Sequence, residues 1–401
     1  MIGISKLVCG SASPGDVLRY GRHSGRLPPH LLQFSEDKRP VVVWNATLAC
    51  NLSCAHCYAD ALPQAASDEL TTAEAHRMLA DLAAFGVPVV LFSGGEPLVR
   101  PDIFELMAAA RELGMRAVLS TNGVVLTDAA VEQLRSVGVS YVGVSIDGRE
   151  PTHDRFRGRA GAHRARIEGI RRCLAVGLKV GLRFTLVQNN QADLPWVVDL
   201  LEAESIPRLC VYHLAYTGRG ARIAAWDVSA SQSRATVEYL IQRALDFHRR
   251  GLAKEILTVA NHADAVYVLL WLQRHQPERA PAVEQLLRWN GGNGAGVAIG
   301  CVDHRGDVHH DQFWRRHTFG NVRQRPFGDI WSDSSQPLLA GLKHRRPLLK
   351  GRCAACRYVD ICNGNLRSRA EEAAGDVWAP DPACYLTDEE IGVAAAAPAH
   401  A

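Results

Sequence analysis

Residues 41–60, VVVWNATLACNLSCAHCYAD, decide how the rest of the chain is read. The apolar run Val41–Trp44 reads as a buried strand, and soon after it Cys50, Cys54 and Cys57 form a C-x3-C-x2-C array. Three thiolates so close together, on a short loop leaving a strand, can wrap one compact soft-metal site. A [4Fe–4S] cube has four irons, usually held by four cysteines. Three cysteines leave one iron open to something that is not protein, by the logic that separates open catalytic zinc sites from closed structural ones. On the residues alone, zinc or buried free thiols are the alternatives. Zinc cysteines normally come as two nearby pairs, however, and the next cysteine here is Cys173.

Working outward, the 401 residues are 47% hydrophobic and 22% charged, which excludes wholesale disorder. A net charge of +3 is too small to argue for nucleic acid or an anionic membrane. No apolar run approaches the ~20 residues that span a bilayer, and the N-terminus lacks a signal peptide's apolar core. The expectation is a cytoplasmic protein with neither nucleic acid nor membrane as partner. Seven of the eleven cysteines fall in two groups, the first three and then Cys353, Cys356, Cys362 and Cys384. That clustering points to metal sites rather than a disulfide framework. Cys9, Cys173, Cys210 and Cys301 stand alone in sequence.

Residues 1–38 are polar and broken by Gly and Pro, and read as a lead-in arm. From 39 to 225 the pattern alternates strand and helix. Strands are expected at Val41–Thr47, Val87–Ser93, Arg116–Thr121, Tyr141–Ile146, Val180–Leu186 and Leu209–Leu214, each apolar at nearly every position, as strands buried on both faces are. Amphipathic helices lie between them, the first opened by Thr71 and Glu74 as a capping box. Such repeats argue a parallel sheet with right-handed crossovers. Residues 226–290 read as a helical connector (Ser229–His248, Ile256–Gln273, Ala282–Trp289). A further domain is expected over 291–392, with a hairpin through Arg305-Gly306-Asp307, and a frayed tail over 393–401. Functional residues gather at the C-terminal ends of strands in such folds. There lie the cysteine loop, Ser93-Gly94-Gly95-Glu96-Pro97, Ser120-Thr121-Asn122-Gly123 and Ser145-Ile146-Asp147-Gly148. The second cysteine group, C-x2-C-x5-C-x21-C, can close a metal site completely, as a zinc ribbon or as a second [4Fe–4S] cluster.

CNLSCAHCYA, with His56 between its last two cysteines, resembles the signature of the radical S-adenosylmethionine (SAM) superfamily. The resemblance implies a partial (β/α)6 TIM-like barrel, where periodicity alone leaves a flat doubly wound sheet equally open. It implies that Cys50, Cys54 and Cys57 hold a [4Fe–4S] cluster whose open iron chelates SAM, and that reductive cleavage yields a 5′-deoxyadenosyl radical that abstracts hydrogen from substrate. Gly94, Gly95 and Glu96 match the family's GGE motif, which receives the SAM amino group. Ser145 and Asp147 lie where ribose and carboxylate contacts fall, His56 matches the ring residue near adenine, and Arg183 could pair with the SAM carboxylate. A ferredoxin or flavodoxin is the expected electron donor.

The segment after the barrel looks like the auxiliary-cluster extension called SPASM, or its reduced form, Twitch. Leu366 stands where a full SPASM module has a further cysteine, so one auxiliary cluster on Cys353, Cys356, Cys362 and Cys384 is expected, and two clusters in all. Residues 39–392, above all GDVHHDQFWRRHTFGNVRQRPFGDIW and CRYVDICNGNLRSRA, resemble the radical SAM proteins of haem d1 biosynthesis (the NirJ group). That likeness implies an oxidoreductase or lyase acting on a tetrapyrrole, 12,18-didecarboxysirohaem, and removing two propionate side chains. Carboxylate-binding candidates are Arg155, Arg157, Arg159, His163, Arg164 and Arg166, then Arg219 and Arg222, then Arg315, Arg316 and His317. His309 or His310 is a candidate axial ligand to substrate iron. A peptide-modifying radical SAM maturase and a non-catalytic zinc-binding scaffold are the competing readings.

Overall fold

The structure is a computed structural model that describes residues 1–13, 16, 19 and 39–393. Its frame is one ten-stranded sheet: β1 (Ile2–Gly3), β2 (Val41–Thr47), β3 (Val89–Gly94), β4 (Arg116–Thr121), β5 (Tyr141–Ser145), β6 (Val180–Leu186), β7 (Arg208–His213), β8 (Glu255–Val259), β9 (Ile299–Val302) and β10 (Val308–His309). The spatial order is β1-β8-β7-β6-β5-β4-β3-β2-β9-β10. Neighbours from β8 through to β9 are parallel. β1 and β10 join antiparallel at the two edges, which do not pair with each other. The result is an open, partial TIM-like barrel, with a C-terminal segment built from short helices.

All six expected strands form, their Val, Leu and Ile residues buried or, as with Leu91 and Val118, lining the barrel cavity; Val42, Val43 and Trp44 of β2 are fully buried. Thr71 caps the helix Thr72–Ala84 as expected, with both halves of the capping box in place.

Four expectations are corrected. The helix expected from Ile256 begins only at Ala263, and Glu255–Val259 is β8, paired with β7. A five-residue apolar run satisfies either period, and here the open edge of β7 claimed it. The lead-in arm is structured at its start: β1 pairs with β8, and the helix Ile4–Cys9 buries Ile4, Leu7 and Val8. Most of that arm (14, 15, 17, 18 and 20–38) and the tail from 394 lie outside the described residues. Glu150–Arg157, whose Arg155 and Arg157 were expected to offer themselves to carboxylates, is a helix ended by Gly158 in the left-handed region, and it turns Arg157 inward. The C-terminal hairpin does not stand apart, since β9 pairs with β2 and continues the barrel sheet. Cys301 is buried within β9, its sulfur accepting from Asn45 Nδ2 at 3.5 Å. Among the described residues, no helix is long and apolar enough to cross a membrane.

Candidate functional site

The cysteine loop is pinched at its base. Cys50 N–H donates to Leu62 O (2.7 Å) and Leu62 N–H to Leu48 O (2.9 Å), while Glu69 Oε1 accepts from Thr47 Oγ1 and Leu48 N–H. Each of the three sulfurs is then offered an N–H donor: Cys50 from Asn122 Nδ2 (3.8 Å), Cys54 from Arg157 Nη1 (3.5 Å) and Cys57 from the Ala61 backbone (3.5 Å). Without a metal, burial pushes the Cys50 thiol up to about 12 and raises Cys54, against the pull of Arg157. A bound cation reverses this and takes the thiolates outright. Three soft ligands on one braced loop, each sulfur offered a hydrogen bond, fit a [4Fe–4S] group with one iron left open.

The GGE segment is packed onto this loop. Gly95 N–H donates to Thr47 O (2.7 Å) and Glu96 N–H to Ala49 O (2.8 Å). A Cβ on Gly95 would stand 2.2 Å from Ala49 O, and Gly94 (φ +121°) would bring one 2.5 Å from Thr47 O. Gly95→Ala is expected to destabilise the protein by roughly 1–3 kcal/mol by forcing the loop base apart. Thermal unfolding and iron retention should fall together. Glu96 is fully buried, accepting from Thr121 Oγ1 (2.8 Å), Asn122 N–H (2.7 Å) and Leu98 N–H (3.2 Å). Burial pushes its carboxyl up to about 7 against those three bonds. It ties the end of β3 to that of β4 and so aims Asn122 at Cys50.

His56 stacks on Phe156 (centroids 4.5 Å apart, planes at 8°), and burial lowers its imidazole to about 4, so the ring is neutral. Ser145 closes β5 in register with Arg183 of β6. Arg183 turns into the barrel, donates to Ser120 Oγ and lines a cavity of about 1350 Å³. Asp147 is placed differently from the expected ligand contact. It has no exposed surface and meets Arg157 Nε at 2.5 Å.

Cys353, Cys356, Cys362 and Cys384 line one small cavity together with Val266, Val359 and Leu386. Burial raises all four thiols. Four thiols around one apolar hollow suit a closed multi-iron cluster more than a single ion, since among the described residues no three His, Cys, Asp or Glu side chains are grouped to hold one metal ion. Leu366 is buried against Ala215 and Ala260, away from a ligand role.

The carboxylate-binding candidates are mostly engaged elsewhere. Arg166 is fully buried, donating to Asn122 O and His153 Nδ1, and His163 is buried beside it. Arg164 pairs with Glu150, and Arg159 reaches Asn51 O. Arg219 clamps the cysteine loop through Cys54 O (2.8 Å) and Ala61 O (3.0 Å). Arg315 holds Tyr58 O and Asp60, Arg316 pairs with Glu372, and His317 with Glu371. Only Arg155 and Arg222 are exposed with no such engagement among the described residues. His309 and His310 are not on an exposed hairpin. His309 is buried with Nδ1 on His317 O, and His310 lies fully buried, stacked on Trp314.

Sequence reading missed the parts played by Asn122, Phe156, Arg157 and Arg219. Each acts on the cysteine loop from a strand or helix far along the chain, which spacing does not report.

Taken together, a three-cysteine loop on the first strand of an open parallel barrel and a glycine-rich second strand end packed against it define a radical SAM protein. The Radical SAM superfamily profile matches residues 44–201. The Fe-coproporphyrin III synthase of Methanosarcina barkeri is 54% identical over 395 residues, covering 98% of this chain and 99% of its own. The pre-heme d1 synthase of Dinoroseobacter shibae is 43% identical over 370 residues, covering 92% and 91%. The chain belongs to the radical SAM superfamily. In fold it is also similar to Streptococcus suis SuiB bound to S-adenosylmethionine, with a TM-score of 0.68 at 19% identity, covering 87% of this chain and 78% of that one.

Proposed function

We propose that the protein removes carboxylate-bearing side chains from an iron tetrapyrrole. Cys50, Cys54 and Cys57 would hold the SAM-binding cluster, and Cys353, Cys356, Cys362 and Cys384 a closed auxiliary one. When bound, the reduced cluster and SAM supply a hydrogen-abstracting radical, and the protein supplies placement and exclusion of water. The neutral face of His56 suits adenine, and Gly94 and Gly95 bring bare backbone to the SAM amino group. Arg183 and Ser145 are adjacent on β6 and β5 for its carboxylate and ribose. Asp147, sealed inside an ion pair, braces rather than binds. A closed auxiliary cluster has no vacant iron for substrate but can pass an electron, which suits a substrate radical that must finally be oxidised. A ferredoxin or flavodoxin would reduce the clusters.

The observation that carries the SAM chemistry is that every sulfur of the loop is offered an N–H donor. For the substrate, it is the barrel cavity. At about 1350 Å³ it exceeds an ordinary small-molecule pocket of roughly 300–1,000 Å³. Arg183 of β6 is among the described residues lining it, a cation that a carboxylate-bearing ring can pair with. Two products are in question. The 54% identity favours Fe-coproporphyrin III. A haem d1 precursor, reached by removing two propionates from 12,18-didecarboxysirohaem, is the second reading, resting on the C-terminal motifs and the 43% relative.

The test is an anaerobic assay with reductant, SAM and 12,18-didecarboxysirohaem. It should yield 5′-deoxyadenosine and a lighter macrocycle, compared by mass and absorption with authentic iron-coproporphyrin III. A product lacking two propionates selects the second reading. Turnover of a peptide but not the ring would favour a peptide maturase. Zinc with no iron after reconstitution would leave only a scaffold.

A further inference from the structure

The helix Glu150–Arg157 docks on the cysteine loop at several levels. Its last carbonyls accept from the residues flanking Cys54: Phe156 O from Ala55 N–H (3.0 Å) and Arg157 O from Ser53 N–H (3.2 Å). Phe156 stacks on His56. Arg157, only 6% exposed, sends Nη1 to the Cys54 sulfur at 3.5 Å and Nε to Asp147 Oδ2 at 2.5 Å. Asp147 is itself fixed. Its Oδ1 accepts from Thr185 N–H (3.3 Å), and its own N–H donates to His153 Nδ1 (3.0 Å). His153 Nδ1 also accepts from Arg166 Nη1 at 2.7 Å. The guanidinium therefore has one orientation, with a carboxylate on one side and a thiolate on the other.

A buried ion pair is a weak source of stability, because desolvating both charges offsets their attraction. This one is also asymmetric: of its two charges, only the guanidinium donates to the cysteine sulfur. A charge-assisted hydrogen bond to a thiolate stabilises negative charge on it, and an iron–sulfur cluster gains one negative charge on reduction. Hydrogen bonds to the sulfurs are among the features that set such potentials, and partners behind the ligands tune the metal.

We infer that Arg157, aimed by Asp147, is a positioning residue that holds up the reduction potential of the cluster on Cys50, Cys54 and Cys57 through its bond to Cys54. This rests on the assignment of those cysteines made above. The cation makes the cluster easier to reduce, and Asp147 limits how far by compensating the charge.

The experiment is a redox titration of the reconstituted full-length protein, following the EPR signal that changes when SAM is added, which marks the cluster with the open iron. In Arg157→Gln the potential should fall, the reduction equilibrium weakening by at least about tenfold, about 59 mV for one electron. Arg157→Lys, which keeps the charge without the fork, should fall between. Asp147→Asn removes the compensating charge, so the potential should rise, and Arg157→Gln/Asp147→Asn should lie between the two single variants. Unchanged potentials in variants holding full iron overturn the inference, leaving Arg157 as packing alone. If the Arg157 variants lose iron, Asp147→Asn decides, and a potential that does not rise overturns it. A SAM-sensitive signal that persists in Cys54→Ala is a different failure. It sinks the cysteine assignment, and this inference with it.

Discussion

Cys54→Ala is expected to abolish reductive cleavage of SAM. Two remaining thiols cannot hold a cube at three corners, so iron should fall from about eight to about four per chain, the auxiliary site keeping its share. The fold should persist, since the lost atom packs in a small satellite cluster with Leu52 and Ala162. Deleting it costs about 1 kcal/mol or less. Iron and sulfide analysis, with 5′-deoxyadenosine measured anaerobically, checks this. Cys362→Ala is the contrast. It too should lose about half the iron, yet 5′-deoxyadenosine should still form while the tetrapyrrole product disappears. Should Cys54→Ala cleave SAM as fast as the parent, the assignment of the open cluster is wrong.

Arg369→Met is the second large effect, on stability rather than chemistry. Arg369 and Asp381 are both fully buried and paired at 2.7 and 2.9 Å. Arg369 also donates to Leu214 O (2.8 Å) and Ala260 O (2.9 Å). Asp381 accepts the N–H groups of Leu366 and Ala383 at 2.9 Å. One guanidinium thus ties the exits of β7 and β8 to the segment carrying the second cysteine group. Its loss leaves a buried carboxylate unpaired, a cost of about 3–5 kcal/mol. Anaerobic urea unfolding should show a correspondingly lower midpoint, with iron at the auxiliary site lost first. Adding Asp381→Leu should recover only part, because the two N–H groups that the carboxylate satisfied are then stranded.

The alternating strand–helix frame was legible in the chain because a strand buried on both faces needs an unbroken apolar run, such as Val41–Trp44, whereas the choice of a barrel over a flat sheet came from the family resemblance. The cysteine loop and the GGE turn were legible because their ligands lie within a few residues of each other. The arginines misled for the same reason. Asp154-Arg155-Phe156-Arg157-Gly158-Arg159 has the composition of a carboxylate cradle, yet the helix it forms sends Arg157 inward to Asp147 and Cys54 and leaves Arg155 outside. His309 and His310 looked exposed on a hairpin until β9 paired with β2 and drew that hairpin against the barrel.

The order of residues alone thus determined the alternating strand–helix frame and the three-plus-four grouping of thiols, since each depends on neighbours along the chain. Only the tertiary structure decided which charged groups face ligand and which face each other. Burial makes an unpaired charge too costly to keep, and the partner that removes the cost can lie a hundred residues away. Arg157 finds Cys54 across such a gap, as Arg369 finds the carbonyls of Leu214 and Ala260.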